Sequence, residues 1–157
     1  MPYDETDHPE GPGRGRRAHG YRGPMAPDDR ARPTRVVLAD DDHRFRALVR
    51  SVLEEDGYEV VGEAADAAAA RQAVVDHRPD VIILDLVMGG ADGLSTVRHL
   101  LRDHPELPVI VLSSLFDPLV EQEAVRLGAW YLEKMEGIDA LEQAIDGAAS
   151  VRGHRPR

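Results

Sequence analysis

The chain has 157 residues, which is enough for one domain with short extensions at its ends. It contains no cysteine, which excludes disulfides and thiolate metal sites, and no apolar run reaches the roughly 18 residues that a membrane-spanning helix needs. Residues 34–157 carry 23 acidic and 13 basic residues and so supply the whole net charge of −10, which makes direct DNA binding unexpected.

Residues 1–33 have a different composition, rich in Gly, Pro and Arg, with six acidic residues balanced by six arginines. This composition predicts a disordered tail. Two interpretations of the tail stay open: its arginines contact an acidic partner, or it is inert, including the case in which Met25 is the true first residue. The opening sequence MPYDETDHPE has no apolar segment typical of a secretory signal. We therefore expect a cytoplasmic location.

From residue 34 onward, short apolar runs alternate with amphipathic segments. The runs predicted to be strands are TRVVLAD (34–40), YEVVGEA (58–64), PDVIILDL (79–86), LPVIVLSS (107–114) and AWYLEK (129–134). The segments predicted to be helices are HRFRALVRSVLEEDG (43–57), DAAAARQAVVDH (66–77), DGLSTVRHLLRDH (92–104), DPLVEQEAVRLG (117–128) and GIDALEQAIDGAAS (137–150). Asp66 and Asp117 are predicted N-caps, and Gly57 is a predicted helix stop.

Five strands in strict alternation with five helices predict an α/β fold with a parallel, doubly wound sheet. The flavodoxin-like strand order 2-1-3-4-5 suits this number of strands. We predict one folded domain over residues 34–150, followed by a basic C-terminal tail over residues 151–157.

Polar residues stand at the ends of the four predicted strands that would form the ligand-binding edge of such a sheet. These residues are Asp40, Asp41 and Asp42 after the first strand, Asp85 after the third, Ser113 and Ser114 after the fourth, and Lys134 after the fifth. Lys134 is the only lysine of the chain, whereas the other 18 basic residues are arginines. Acids, a hydroxyl and one ammonium are therefore predicted to converge at one edge.

Crowded carboxylates without His or Cys favour Mg²⁺, which prefers oxygen ligands. An aspartate can act as a nucleophile toward a phosphoryl group, whose charge a metal and a lysine then neutralise. A compact ammonium binds phosphate as a point charge, whereas Arg imposes a flat fork. This chemistry explains why position 134 holds the single lysine.

The motifs VVLADDDHRFR, DVIILDLVMGGADG, LPVIVLSS and LGAWYLEK together resemble the receiver domain of bacterial two-component response regulators, over about residues 34–150. The resemblance implies that Asp85 accepts a phosphoryl group and that Asp40 and Asp41 bind Mg²⁺, with Asp41 the more direct ligand. It also implies roles for the Val87 carbonyl as a metal ligand, Ser113 as the switch hydroxyl, Lys134 as the phosphate-binding cation and Tyr131 as the mobile aromatic. Asp42 lies outside the motif and is predicted to cap the first helix.

The sequence departs from the family pattern at three places. Met88-Gly89-Gly90 replaces the usual Met-Pro-Gly, which predicts a more mobile loop. Lys134-Met135 replaces the usual Lys-Pro, so a cis bond there would cost about 2.5–4 kcal/mol and the bond is either trans or strained. The segment GAWYLEK is one residue shorter than the common spacing, which alters the loop that carries Trp130.

The resemblance implies a single-domain regulator that is phosphorylated by a histidine kinase or phosphotransfer protein and signals through a protein target or a phosphorylation-dependent homodimer. It implies neither turnover of an external substrate nor a membrane contact. Two alternatives stay open. One is a phosphohydrolase of the haloacid dehalogenase type, with Asp40 and Asp42 as its acid pair. The other is a receiver-like binding module that is never phosphorylated.

Overall fold

A computed structural model describes residues 32–88 and 91–153 of the chain. The chain divides into two units, Met1–Arg32 and Pro33–Arg157. The predictions of a disordered 1–33 tail, a basic 151–157 tail and a mobile Gly89-Gly90 loop lie wholly or largely outside the described residues.

The described residues form five strands and five helices in alternation. The strands are β1 (Arg35–Ala39), β2 (Glu59–Ala64), β3 (Val81–Asp85), β4 (Val109–Ser113) and β5 (Trp130–Glu133). The helices are α1 (His43–Glu55), α2 (Ala67–His77), α3 (Gly93–Asp103), α4 (Pro118–Leu127) and α5 (Ile138–Gly153). Within the described residues, no helix is long and apolar enough to cross a bilayer.

The five strands form one parallel sheet in the order β2-β1-β3-β4-β5, as the sequence predicts. Successive side chains along a strand point to opposite faces, so the sheet has two cores. Val37, Ile82 and Val111 belong to the core under α2, α3 and α4. Leu38 and Ile83 belong to the core under α1 and α5. Because both faces are covered, β3 and β4 are apolar up to their last residues, Asp85 and Ser113.

Helix starts follow the predicted capping chemistry. The Asp66 carboxylate accepts the Ala69 N–H at 2.7 Å, and the Asp117 carboxylate accepts the Leu119 N–H at 2.9 Å. Helix α4 ends at Gly128, whose φ of 98° is a left-handed conformation that favours glycine. At the start of α3, a Cβ on Gly93 would lie 2.2 Å from the carbonyl oxygen of Leu86, so only glycine allows this close approach.

Two short elements were not predicted from the sequence. Val87–Met88 pairs with Ala91–Asp92 in an antiparallel ladder directly after β3. Lys134–Glu136 forms a single 3₁₀ turn after β5. Both elements lie at the carboxyl edge of the sheet and therefore shape the loops around the predicted site.

Candidate functional site

Asp40 lies at the end of β1 with 1% of its surface exposed, and donors surround it. Its backbone N–H extends the sheet by donating to the Ala64 carbonyl at 3.0 Å. One carboxylate oxygen accepts the Asp42 N–H at 2.9 Å, and the other accepts the Lys134 Nζ at 2.6 Å. Asp40 is therefore held rigidly as a buried, ion-paired carboxylate.

Asp85 lies at the end of β3 and is 4% exposed. Its Oδ1 accepts the Val87 N–H at 3.0 Å, and its Oδ2 lies 3.4 Å from the Lys134 Nζ. Burial and the neighbouring charge of Asp40 raise the pKa of Asp85, against the opposing effects of the Val87 N–H and Lys134. The contact with Lys134 is longer than the one Asp40 makes, so Asp85 is the less fully neutralised of the two acids.

Lys134 starts the 3₁₀ turn after β5, and its ammonium contacts the carboxylates of both Asp40 and Asp85. Its Nζ also lies 4.2 Å from the centre of the Phe45 ring, a cation–π contact. Burial alone would lower the pKa of Lys134, but the hydrogen bond to Asp40 and the charges of Asp85 and Asp40 raise it. The ammonium is therefore firmly charged. The Lys134-Met135 bond is trans, since no cis bond occurs in the described residues.

Asp40, Asp41 and Asp85 form a cluster in which one carboxylate oxygen from each residue lies within 4.8 Å of the other two. Asp40 and Asp85 are buried, whereas Asp41 is exposed at the mouth. Ligands on opposite sides of a Mg²⁺ ion are about 4.2 Å apart, from metal–oxygen distances of about 2.1 Å. The spacing and the all-oxygen donor set therefore fit Mg²⁺, with Asp41 on the side open to water.

Ser113 ends β4, one residue beyond Leu112, which is the register partner of Asp85, and it is 6% exposed. Its hydroxyl donates to the Leu115 carbonyl at 2.6 Å, and the Tyr131 hydroxyl reaches the same carbonyl at 3.4 Å. The predicted switch hydroxyl and mobile aromatic thus meet on one backbone atom of the loop between β4 and α4. Neither side chain has a hydrogen bond to the acid cluster among the described residues.

Asp42 has a different role, as the sequence predicts. Its carboxylate accepts the N–H groups of Arg44 at 3.0 Å and Phe45 at 3.2 Å, which makes it the N-cap of α1. The same N–H groups, that of Phe45 first, lower the pKa of Asp42. This geometry does not favour the alternative in which Asp40 and Asp42 form a catalytic acid pair.

Two residues at the site were not singled out from the sequence. Phe45 lies under the Lys134 ammonium, and Arg46 donates from Nη1 to the backbone carbonyl of Asp40 at 2.5 Å. Both side chains belong to the first turn of α1, and helical spacing alone would place Phe45 only on the apolar face of that helix. Their position in the sequence could have identified them, because a helix that begins right after the acid pair must place its first turn beside that pair.

Comparison with known proteins agrees with this geometry. The chain matches the family described as the response regulator receiver domain over residues 36–146, and it belongs to that family. It is 34% identical over 129 residues to the transcriptional regulatory protein PdtaR of Mycobacterium tuberculosis, with 82% of this chain and 62% of that protein covered. The chain thus spans less than two thirds of that relative's length.

Two further comparisons cover a larger share of the related protein. The protein CcdB of Bacillus subtilis is 34% identical over 123 residues, which covers 77% of this chain and 99% of that protein. The crystal structure of a two-component response regulator of the LuxR family from Aurantimonas sp. SI85-9A1 superposes with a TM-score of 0.72 at 29% identity, covering 76% of this chain and 87% of that one. The fold and the family are therefore shown, and the function is that of a receiver in two-component signalling.

Proposed function

We propose that this protein acts as a response regulator receiver that is phosphorylated on Asp85 in a Mg²⁺-dependent reaction. The observation that carries the proposal is the position of the single lysine. Lys134 lies between two buried carboxylates, 2.6 Å from Asp40 and 3.4 Å from Asp85. All other basic residues of the chain are arginines, so the single lysine side chain lies in this pocket. A compact ammonium suits a small, highly charged group.

In the proposed reaction, a carboxylate oxygen of Asp85 attacks the phosphorus of the donor. The new bond joins phosphorus to that oxygen, and the bond from phosphorus to the donor's leaving atom breaks. That atom keeps the electron pair, so acetyl phosphate releases acetate, and a phosphorylated imidazole that carries a proton on its other nitrogen releases neutral imidazole. For a phosphorylated histidine, the leaving atom is an imidazole nitrogen; for acetyl phosphate, it is a carboxyl oxygen.

Asp40 and Asp41 would hold Mg²⁺ together with Asp85 and the backbone carbonyl of Val87. The ion would supply positive charge to the phosphoryl oxygens. Asp40 is already fixed by its donors, so it enters the reaction without reorganising. Lys134 needs only to shift its ammonium from the carboxylate of Asp85 to the oxygens of the group that Asp85 acquires.

Ser113 and Tyr131 would report the phosphorylation. The Ser113 hydroxyl is engaged with the Leu115 carbonyl in this structure. A phosphoryl oxygen on Asp85 would offer it a charged acceptor, and charge-assisted hydrogen bonds are the stronger kind. Because Tyr131 shares the same carbonyl, loss of the Ser113 contact would also change the surroundings of the aromatic ring.

The partners that follow from this proposal are a sensor histidine kinase or phosphotransfer protein upstream and a protein target or a second copy of the chain downstream. We propose a cytoplasmic location, no membrane contact, no direct DNA binding and no turnover of an external substrate. The receiver domain would occupy residues 34–150, flanked by the 1–33 and 151–157 tails.

Intact-mass measurement after incubation with acetyl phosphate and Mg²⁺ tests the proposal. Wild type should gain one phosphoryl group, and chelation of the metal should prevent the gain. Asp85→Asn should gain none, whereas the matched control Asp42→Asn should keep most of it. Labelling that survives in Asp85→Asn and disappears in Asp42→Asn would overturn the assignment and favour the phosphohydrolase alternative.

A further inference from the structure

Arg46 connects the first turn of α1 to the acid pair through its backbone and its side chain. Its N–H donates to the Asp42 carbonyl at 3.0 Å, which is the first helical hydrogen bond of α1. Its Nη1 donates to the Asp40 carbonyl at 2.5 Å. Both acceptors belong to the loop that carries Asp41. One residue therefore fixes the loop on either side of the exposed carboxylate of the cluster.

The Asp40 carbonyl is the atom through which a side chain can orient Asp41. This carbonyl and the Asp41 N–H belong to one planar peptide unit. A donor that fixes the direction of the carbonyl therefore fixes the direction in which the Asp41 backbone leaves β1. Asp40 is almost completely buried, so its carbonyl needs a donor from the protein, and Arg46 supplies it.

The guanidinium of Arg46 is itself held in place by β2. Its Nε lies 3.4 Å from Glu63 Oε1, and its side chain is only 18% exposed. Glu63 also accepts Arg50 Nη1 at 2.6 Å, and Arg50 Nε in turn lies 3.1 Å from Glu54. The guanidinium can serve both acceptors because its N–H groups form a rigid fork, which a lysine lacks.

We propose that Arg46 is a positioning residue for the metal site: by holding the Asp40 carbonyl, it sets the geometry in which Asp40 and Asp41 bind Mg²⁺. The inference rests on the proposed function and adds to it a residue outside the ligand set. A purely structural link between α1 and β2 is the competing explanation. The two explanations differ because Glu63 and Arg50 belong to that link but do not touch the acid pair.

The test is the affinity of the unphosphorylated, full-length protein for Mg²⁺, measured by titration calorimetry alongside thermal unfolding. Arg46→Met keeps much of the aliphatic packing and removes the donors, so Mg²⁺ binding should weaken about tenfold, at the lower end of the effect of residues that support metal ligands. The matched control Arg50→Gln, which removes the neighbouring contact with Glu63 but leaves both Arg46 contacts in place, should lower the unfolding temperature but leave Mg²⁺ affinity near that of wild type.

Arg46→Lys provides a second variant, which keeps the charge but not the fork and should weaken binding less than Arg46→Met. It also serves if Arg46→Met does not fold. Equal Mg²⁺ affinity in wild type and the Arg46 variants would overturn the positioning role and leave the proposed function standing. Equal weakening in Arg50→Gln would also overturn it, in favour of the structural link. A wild-type protein that binds no Mg²⁺ would overturn the proposed function and this inference together.

Discussion

Two acidic clusters on this domain handle their negative charge in different ways. The first is the site cluster of Asp40, Asp41 and Asp85, into which Lys134 projects. The second acidic cluster lies on α5 and the end of α1 and consists of Asp56, Asp139, Glu142 and Asp146. No Lys or Arg pairs with this second cluster among residues 32–88 and 91–153.

In the second acidic cluster, the crowding of negative charge favours the protonated form of Glu142. The neighbouring carboxyl group of Asp56, then partial burial, then repulsion from Asp56, Asp139 and Asp146 raise the pKa of Glu142 to about 7. A Tyr58 hydroxyl donates to Asp146 at 2.7 Å and satisfies one further carboxylate. A cluster without a cation thus keeps one of its carboxyl groups, that of Glu142, protonated up to near neutral pH.

The site cluster differs because its excess charge is met by a firmly charged ammonium and by fixed backbone donors. The Lys134 ammonium already pairs with Asp40 and Asp85. It can therefore contact a phosphoryl group on Asp85 without leaving a buried carboxylate unpaired. The contrast indicates that negative charge alone does not make a phosphoryl pocket. The arrangement of Lys134, the backbone N–H groups and the open side at Asp41 does.

The largest expected effect comes from replacing the cation that distinguishes the two clusters. Lys134→Arg should fold normally and still take up the phosphoryl group, because Asp85 and the acid pair are intact. Its phosphorylation-dependent partner binding or dimerisation should fall roughly tenfold or more, equivalent to at least about 1.4 kcal/mol. Size-exclusion chromatography or a binding titration, with and without acetyl phosphate, measures this. A wild-type response in the variant would remove Lys134 from the role proposed here.

A several-fold effect is expected from the apolar rim of the site. Val87 and Leu115 are 65% and 79% exposed and line one groove together with Ser113. We expect both side chains to flank the approach to Asp85. Neither side chain can orient a water molecule for attack on phosphorus, so we predict slow self-dephosphorylation. The double variant Val87→Asn, Leu115→Glu should speed the decay several-fold, below the roughly 100-fold that a well-placed general base supplies.

The decay of phosphorylated protein after removal of the donor measures this rate. The conservative double variant Val87→Ile, Leu115→Met keeps the rim apolar and should decay like wild type. Rapid decay in wild type, or equal rates in all three proteins, would contradict the role of the rim.

A smaller effect, on stability and not on phosphorylation, is expected from Asp42, the N-cap of α1. Asp42→Ala removes the acceptor of the Arg44 and Phe45 N–H groups and should lower the free energy of unfolding by about 1 kcal/mol. Phosphorylation should persist. Asp42→Ser, which can still cap the helix, should recover most of the stability in urea unfolding. Full stability in Asp42→Ala would show that the cap contributes little.

The smallest expected effect is the pH response of the second acidic cluster. The pKa of Glu142 rises from 4.5 to about 7 on folding, so its contribution to stability is complete below pH 4.5 and is lost as the pH rises through 7. Glu142→Gln removes this loss. The variant should therefore gain on the order of 1–2 °C in unfolding temperature over wild type at pH 8 and nothing at pH 4.5.

Glu142 is only partly buried, so water screens its neighbours' charges, which is why the expected gain is small. Comparing thermal unfolding of Glu142→Gln and wild type at the two pH values measures it, with Gln143→Glu as a control that adds charge to the same helix. A gain that is equal at both pH values would show that the variant acts through packing instead.

The parts of the fold that depend on local chemistry were predictable from the sequence. The strand order, the caps at Asp42, Asp66 and Asp117 and the strand-end positions of Asp40, Asp85, Ser113 and Lys134 follow from periodicity and from rules that relate strand ends to one edge. The short ladder after β3 was not predictable, because its two-residue strands carry no periodic signal.

The remaining differences depend on contacts between distant parts of the chain. Leu48 shares the helical spacing of the apolar face of α1, yet it is 62% exposed. Helical spacing defines a face, but the width of the neighbouring helix decides how much of that face is covered. Likewise, the Phe45–Lys134 and Arg46–Asp40 contacts depend on side-chain directions that no single-sequence pattern specifies.

The most direct test of the central claim is a backbone NMR comparison of the full chain before and after addition of Mg²⁺ and beryllofluoride, a mimic of the phosphoryl group. We predict that amide chemical shifts change at the strand ends around Asp40, Asp85, Ser113 and Lys134, with one mimic bound per chain. The amide shifts around Glu142 should stay unchanged. Asp85→Asn should show only the changes caused by Mg²⁺. Shifts that centre on the second acidic cluster, or that persist in full in Asp85→Asn, would contradict the account.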